Sequence, residues 1–217
     1  VDCCTLANNH VLDWQRKGLV DTLRTLRHIG VKSPGAGEEQ PGVNLLPGWG
    51  RQTVEEIGAR VETVRETGDI VVFSVHWGGN WGYGVPKHQR DFAKNLIDQA
   101  SVDVVHGHSS HHPKGIEVYK GKLIIYGAGD FINDYEGIGG HEKYRPELAL
   151  MYFPEFNPAS GGLVSMIIVP MRIEHFRLNA PSAAEARWLK ALLTRLGREP
   201  GTSVDMNKNG SLSLRWR

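Results

Sequence analysis

The chain has 217 residues, 25 Lys and Arg against 24 Asp and Glu, and therefore a net charge of +1. This charge balance excludes a strongly basic nucleic-acid binder and an acidic disordered tail. The longest apolar runs, such as 70–75, are far too short to span a bilayer. The histidine count of 10 is the unusual feature of the composition.

The first half of the sequence alternates apolar runs with helical patterns. Residues 1–7 form an apolar run typical of a buried strand, and residues 14–29 carry apolar side chains at helical spacing after a polar loop that includes Asp13. A Gly- and Pro-rich loop precedes a second helix at about 52–66. The β-branched run 70–75 predicts a buried strand.

A third helix at 88–100, a strand at 102–105 and a hairpin at 115–126 follow. The second half is mostly strand, with runs at 148–153 and 163–173, one helix at 182–197 and a hairpin turn at Asn209-Gly210. This order predicts an α/β domain whose sheet is continued by antiparallel strands. We expect one main domain over 1–178, with the helix and hairpin of 179–217 packed on it.

The histidines gather where predicted strands end. Four of the ten fall within the seven residues 106–112, where an even distribution would place roughly a third of one. His10 and His76 follow two other predicted strands, and ligands in α/β sheets bind beyond the carboxyl ends of strands. Because imidazole is a common metal ligand, the pattern favours a transition-metal site. For any single histidine, a loop side chain bonded to backbone is an equally good interpretation.

Four segments contain recognisable motifs: 7–13 (ANNHVLD), 75–82 (VHWGGNWG), 107–113 (GHSSHHP) and 127–135 (GAGDFINDY). In this order they resemble the CapA family, which is named for bacterial poly-γ-glutamate capsule synthesis. The resemblance runs from residue 1 to about residue 152. It implies the calcineurin-like metallophosphoesterase fold, an α-β-β-α sandwich of two sheets with helices outside. In that superfamily, loops supply Asp, His and Asn ligands to a centre that is usually dinuclear.

By this resemblance, Asn9, His76, His108 and His111 are metal ligands, His10 is a catalytic acid, and Asp13 orients His10. The superfamily spaces its last two histidines by one residue, whereas two residues separate His108 from His111. His106 and His112 are therefore alternatives at this position. Asp130 and Asp134 are candidates for the mouth of the site.

The resemblance also implies a divalent transition metal, one or two ions of Mn, Fe or Zn. It places the superfamily's first Asp-bearing motifs upstream of Val1, and it implies a segment between 35–37 and 41–46 that is missing here. Two interpretations fit the aromatic residues Trp77, Trp81 and Tyr83. They line a substrate groove, or they pack in the core. Lys87, His88 and Arg90 are either a basic patch for an acidic polymer or a solvated helix face.

The motifs are therefore compatible with two functions. The first is a metal-dependent hydrolase of the phosphoesterase type, acting on a phosphoester or an anionic polymer in capsule synthesis or export. The second is a non-catalytic accessory protein of capsule assembly, which binds an anionic polymer or other capsule-synthesis proteins in the same cleft. Neither needs nucleic acid or a membrane span, and both the cell envelope and the cytoplasm are open as locations.

Overall fold

The computed structural model describes residues 1–37, 43–133 and 138–217. The helices of these ranges are α1 (Gln15–His28), α2 (Arg51–Val64), α3 (Lys87–Gln99) and α4 (Ala183–Leu196). The strands are β1 (Val72–His76), β2 (Val104–His108), β3 (Ile116–Tyr119), β4 (Lys122–Ile125), β5 (Leu148–Asn157), β6 (Gly162–Glu174), β7 (Arg177–Asn179), β8 (Thr202–Met206) and β9 (Leu212–Trp216). A short 3-10 helix spans Glu142–Tyr144.

The first sheet has the order β1-β2-β4-β3. Strands β1, β2 and β4 run parallel, and β3 returns antiparallel beside β4 through the tight turn at Lys120-Gly121. Both turn residues have a positive φ, 50° and 77°, which Gly121 adopts without steric cost. The parallel strands bring their carboxyl ends to one edge of the sheet, which is where the histidine motifs begin.

The second sheet is antiparallel, with the order β5-β6-β9-β8 and with β7 added on β6. The closing hairpin β8–β9 turns at the predicted Asn209-Gly210, where Gly210 has a φ of 82°. This hairpin pairs with β6, so the last strands of the chain extend the same sheet.

Two apolar cores hold the layers together. One fills the space between the sheets and joins Leu123 of the first sheet to Ile168 of the second, with Leu189 of α4 in contact. The other lies on the opposite face of the first sheet, where Val54 of α2 and Phe92 of α3 pack, both fully buried. The arrangement is a mixed α/β sandwich with helices outside, which confirms the predicted fold class.

Residues 1–7 depart from the prediction of a buried strand. Residues 1–5 are exposed, and the segment makes one parallel bridge, between Cys3 and Lys32. It hydrogen-bonds to the residues that follow α1, with Cys4 donating to the Lys32 carbonyl at 2.7 Å. Apolar character alone does not bury a strand, because burial also requires a neighbouring sheet to pair with.

A second difference concerns β2, which extends through His108 and does not end at Val105. His106 and His108 are therefore strand residues with fixed facing directions. Strand β7 was not predicted, since its three residues are too few to show a period. Among the described helices, none combines the length and the apolar character needed to cross a membrane.

Candidate metal and hydrolytic site

Strand register brings His76 and His108 together. In the parallel pair β1–β2, His76 lies opposite His108, so both side chains leave the same face of the sheet. Their ring centroids are 5.2 Å apart. Gly107, between the two strand histidines of β2, faces the other way, under the buried indole of Trp77.

Each of the two facing rings carries a buried nitrogen that has no hydrogen-bond partner among the described residues, Nδ1 of His76 and Nε2 of His108. Burial, with smaller contributions from the neighbouring His106 and His76, lowers the pKa of His108 to about 4. Burial also lowers the pKa of His76, with smaller contributions from His10 and His111. Both rings are therefore neutral at pH 7, which is the form that binds metal.

His106 lies one pleat deeper than His108 on the same face of β2. Its ring centroid is 5.6 Å from that of His108, and its Nδ1 is 3.0 Å from the Ser74 hydroxyl. Burial lowers the pKa of His106 as well. This histidine is held within the sandwich and does not line the pocket formed by the other motif residues.

The loop before α1 supplies Asn9, His10 and Asp13. Nδ1 of His10 lies 2.7 Å from Oδ2 of Asp13, and the His10 amide donates to the Asn8 side chain at 2.8 Å. Nε2 of His10 is 3.4 Å from the Asn9 amide nitrogen. Asp13 thus contacts His10 and does not cap α1, whose N-cap residue Trp14 has no side-chain cap. The contact is the one that an orienting role for Asp13 requires.

The loop after β2 supplies His111, which contacts the loop after β4. Nδ1 of His111 is 3.0 Å from Oδ2 of Asp130, and Asn133 donates to the same carboxylate oxygen at 2.8 Å. The His111 amide donates to the Asn80 carbonyl at 3.1 Å, which ties this loop to the one after β1. Asp134, the other candidate at the mouth, lies outside the described residues.

These loops enclose a pocket of about 390 Å³. It brings together the predicted ligands and the predicted acid, and adds polar neighbours. Its lining residues are Asn8, Asn9, His10, His76, Asn80, His108, Ser109, Ser110, His111, Gly129, Asp130 and Ile132. We call this the histidine pocket. The structure shows that the predicted ligands and the predicted acid lie in one pocket. Their roles as metal ligands and as acid stay predictions.

His112 lies in a separate aromatic cluster. It is fully buried, stacks on Tyr144 with ring centroids 4.7 Å apart, and meets Tyr83 edge-on at 4.8 Å. Trp81 joins this cluster to the histidine pocket, because its ring lies 5.5 Å from that of Tyr144 and 5.4 Å from that of His111. His112 does not line the histidine pocket.

The three motif aromatics have different surroundings. Trp77 is 4% exposed and donates its indole N–H to the Tyr126 carbonyl at 2.9 Å, so it is a core residue. Trp81 packs beside His111, and Tyr83 lines two cavities on the far side of the aromatic cluster. Core packing is therefore correct for Trp77 alone.

Sequence reasoning missed Ser109 as a residue of the pocket. Ser109 has a φ of 124°, a conformation costly for a residue with a Cβ, and its hydroxyl donates to the Gly78 carbonyl at 3.2 Å. Such strained residues are concentrated at functional sites. The backbone turn at Ser109 changes the direction of the chain directly after His108. No sequence signal marks a serine for this conformation, since glycine is the usual choice.

The donor set partly fits a transition metal. Two neutral imidazoles, whose buried nitrogens have no partner among the described residues, face the same space, and amide and carboxylate groups line the same pocket. Across residues 1–37, 43–133 and 138–217, however, no three His, Cys, Asp or Glu side chains lie close enough together to hold one ion. The pocket therefore offers a two-histidine base for a metal, and a full ligand shell needs further donors or a rearrangement of these side chains.

Fold and site together define a class: an α/β sandwich with a histidine-rich pocket at the carboxyl edge of its parallel strands, consistent with the metallophosphoesterase type. The family model described as bacterial capsule synthesis protein PGA_cap matches residues 1–44 and 38–135. The chain belongs to this family, as the resemblance to CapA proteins predicted.

Curated relatives agree with this assignment. The chain is 39% identical to a probable polyglutamine synthesis accessory protein of Mycobacterium tuberculosis, over 93% of the chain and 63% of that protein. It is 27% identical to the PGA biosynthesis protein CapA of Bacillus subtilis, over 89% of the chain and 56% of the relative. With the capsule biosynthesis protein CapA of Bacillus anthracis, the identity is 24% over 78% of the chain and 47% of the relative. The chain thus spans less than two thirds of these proteins.

The comparisons also bear on the missing internal segment. The family model matches in two pieces that meet at residues 38–44. The alignment with the Mycobacterium tuberculosis protein has 241 positions, whereas 93% of this 217-residue chain is about 202 residues. About 39 aligned positions of that relative therefore have no counterpart here. Residues 38–42, where the two matches meet, lie outside the described residues.

Proposed function

We propose that the histidine pocket is a metal-dependent hydrolytic site, and that the chain acts in the synthesis of a glutamate-polymer capsule. The observation that carries the proposal is the facing pair His76 and His108, whose buried nitrogens have no partner within residues 1–37, 43–133 and 138–217, in a pocket that also holds His10. Burying two unpaired polar nitrogens costs free energy, which a bound ligand would recover. The names of the relatives support the capsule context.

In this proposal, His76 and His108 hold the metal, with His111 and Asn9 as further ligands. A divalent ion at this position would neutralise substrate charge and lower the pKa of a water molecule. The protein's own residues then orient the His10 ring and protonate the leaving group. Asp13 fixes the orientation of the His10 ring through Nδ1, which leaves Nε2 to deliver a proton to the departing oxygen of a phosphoester or an amide.

Metal content tests the first part of this proposal. Protein supplied with Mn, Fe or Zn should retain metal in elemental analysis, and His76→Ala should bind it at least about tenfold more weakly. His28→Ala is the matched control, because His28 is exposed at the end of α1 and far from the pocket motifs in sequence. Wild-type protein that holds almost no metal would refute the metal-dependent site.

Turnover tests the second part. We expect hydrolysis of a chromogenic phosphodiester to fall at least about tenfold in Asp13→Asn, with metal content unchanged, because the neutral amide no longer fixes the His10 ring in the correct tautomer. His28→Ala again serves as the control. An Asp13→Asn variant with unchanged turnover would remove the assigned role from the His10–Asp13 pair.

Two observations favour a second candidate, a non-catalytic accessory protein that binds an anionic polymer or a partner. Among the described residues, no group of three metal-binding side chains converges, and the Mycobacterium tuberculosis relative is named an accessory protein. This candidate predicts polymer binding without turnover at any metal concentration. Metal-dependent turnover that is lost in His76→Ala would exclude it.

A further inference from the structure

We propose that a second cleft, between α3 and the end of α4, binds the carboxylates of an anionic polymer. The cleft has a volume of about 490 Å³ and, among the described residues, shares no lining residue with the histidine pocket. Its charged lining residues are Arg90, Lys94, Glu117, Arg195, Arg198 and Glu199. We call it the arginine cleft. The choice of a glutamate polymer as ligand rests on the proposed function, whereas the preference for carboxylates rests on the side chains themselves.

Two of the four cations in the arginine cleft are already paired. Lys94 Nζ lies 2.9 Å from Oε1 of Glu117, a carboxylate that is 9% exposed and that also accepts from the Tyr126 hydroxyl at 2.6 Å. Arg90 pairs with Glu199, whose side chain is 76% exposed. An exposed pair of this kind contributes little stability, so a carboxylate of a ligand could replace Glu199 at small cost.

Arg195 and Arg198 are the available cations. Within the part of the chain that the structure describes, neither has a carboxylate partner, and the Arg195 guanidinium lies over the Tyr83 ring at 5.1 Å from its centroid. The stacking holds the guanidinium in place and leaves its edge for hydrogen bonds. Planar guanidinium groups bind carboxylates through two parallel hydrogen bonds, a geometry that lysine does not offer.

The helix terminus alone does not account for this cleft. Cations are favoured near the last turn of a helix, and Arg195 lies in the last turn of α4. That effect explains a single arginine, but it does not explain why Arg90 and Lys94 of α3 line the same cavity. Cations from two helices in one concave site attract anions more strongly than separate surface charges do.

The arginine cleft lies next to the aromatic cluster that borders the histidine pocket. Three successive ring contacts lead from Tyr83 to His112, then to Trp81 and finally to His111, with centroid separations of 4.8, 6.0 and 5.4 Å. The Tyr83 and His111 ring centroids are therefore at most about 16 Å apart, a distance that an extended polymer of about five residues spans. The cleft would act as a subsite that retains the polymer beside the place of reaction.

Binding of poly-γ-glutamate oligomers, measured by calorimetry at low salt, tests this proposal. We expect the double variant Arg195→Gln/Arg198→Gln to bind at least about tenfold more weakly than wild type. Arg187→Gln is the control for the loss of one positive charge outside the cleft, because Arg187 is exposed on α4 and does not line the cleft. Circular dichroism and the thermal midpoint should be unchanged in all variants, since these side chains are exposed.

Three results would overturn the proposal: binding by the double variant within twofold of wild type, an equal loss in Arg187→Gln, or equal affinity for polyphosphate of matched charge. The last would mean a general polyanion site and not a carboxylate site. His76→Ala keeps polymer binding in this proposal. Its loss of metal or turnover therefore reports on the histidine pocket, while the double variant reports on the arginine cleft, and the two proposals fail separately.

Discussion

His108 makes the stability of the metal-free protein depend on pH in a defined way. The ring lines the histidine pocket beside His76 and His106, and its buried Nε2 has no hydrogen-bond partner in the part of the chain that the structure describes. Protonation would place a positive charge in this environment. Replacement by glutamine keeps a polar side chain of similar reach and removes the titrating group, so His108→Gln isolates the contribution of one histidine.

The magnitude follows from the lowered pKa. Burial, with the nearby His106 and His76, lowers the pKa of His108 from 6.5 to about 4. Between these two values the unfolded chain binds a proton that the native protein does not, so stability is complete above pH 6.5 and falls as the pH decreases toward 4. At 1.36 kcal/mol per pKa unit the full loss is at most about 3 kcal/mol, of which about 2 kcal/mol is reached at pH 5.

Urea unfolding at pH 8 and pH 5, with a chelator present, measures this loss. Wild type should lose about 2 kcal/mol more than His108→Gln between the two pH values. A His28→Gln control should match wild type, since His28 is exposed on α1. If wild type and His108→Gln lose the same free energy of unfolding, the inferred burial cost of the His108 charge is wrong.

Two further predictions concern the frame that holds the site. Asp103 is 1% exposed and pairs with Arg65 at 3.2 Å and with Lys122. Asp103→Ala leaves these two cations without their carboxylate partner, so the free energy of unfolding should fall by about 3–5 kcal/mol. The thermal midpoint should then fall by about 6–20 °C. A midpoint within 2 °C of wild type would contradict this role for the carboxylate. A Cβ on Gly107 would lie 2.7 Å from the Tyr126 carbonyl. Gly107→Ala should therefore lower the free energy of unfolding, measured by urea titration, by about 1–3 kcal/mol. An unchanged free energy of unfolding would contradict this prediction and show that the sheet adjusts.

The periodicity of apolar residues and the positions of turn-forming residues predicted most helices and strands within a few residues. The helix expected at 88–100 is α3 (Lys87–Gln99), and the hairpin expected at Asn209-Gly210 is β8–β9. The exception is the run 1–7, whose apolar residues indicated a buried strand but are exposed up to residue 5. Local patterns report what a segment prefers, whereas burial depends on which strand, if any, pairs with it.

The sequence by itself determined the family and the three loops that carry His10, His76 and the cluster 106–112, because these are local motifs in a fixed order. Only the tertiary structure decided among the clustered histidines. The β1–β2 register sets His108 against His76, the strand period sends His106 deeper on the same face, and aromatic packing buries His112 away from the pocket. The arginine cleft likewise has no motif, since its cations come from α3 and from the end of α4 with the turn after it, segments that are far apart in the chain and adjacent only after folding.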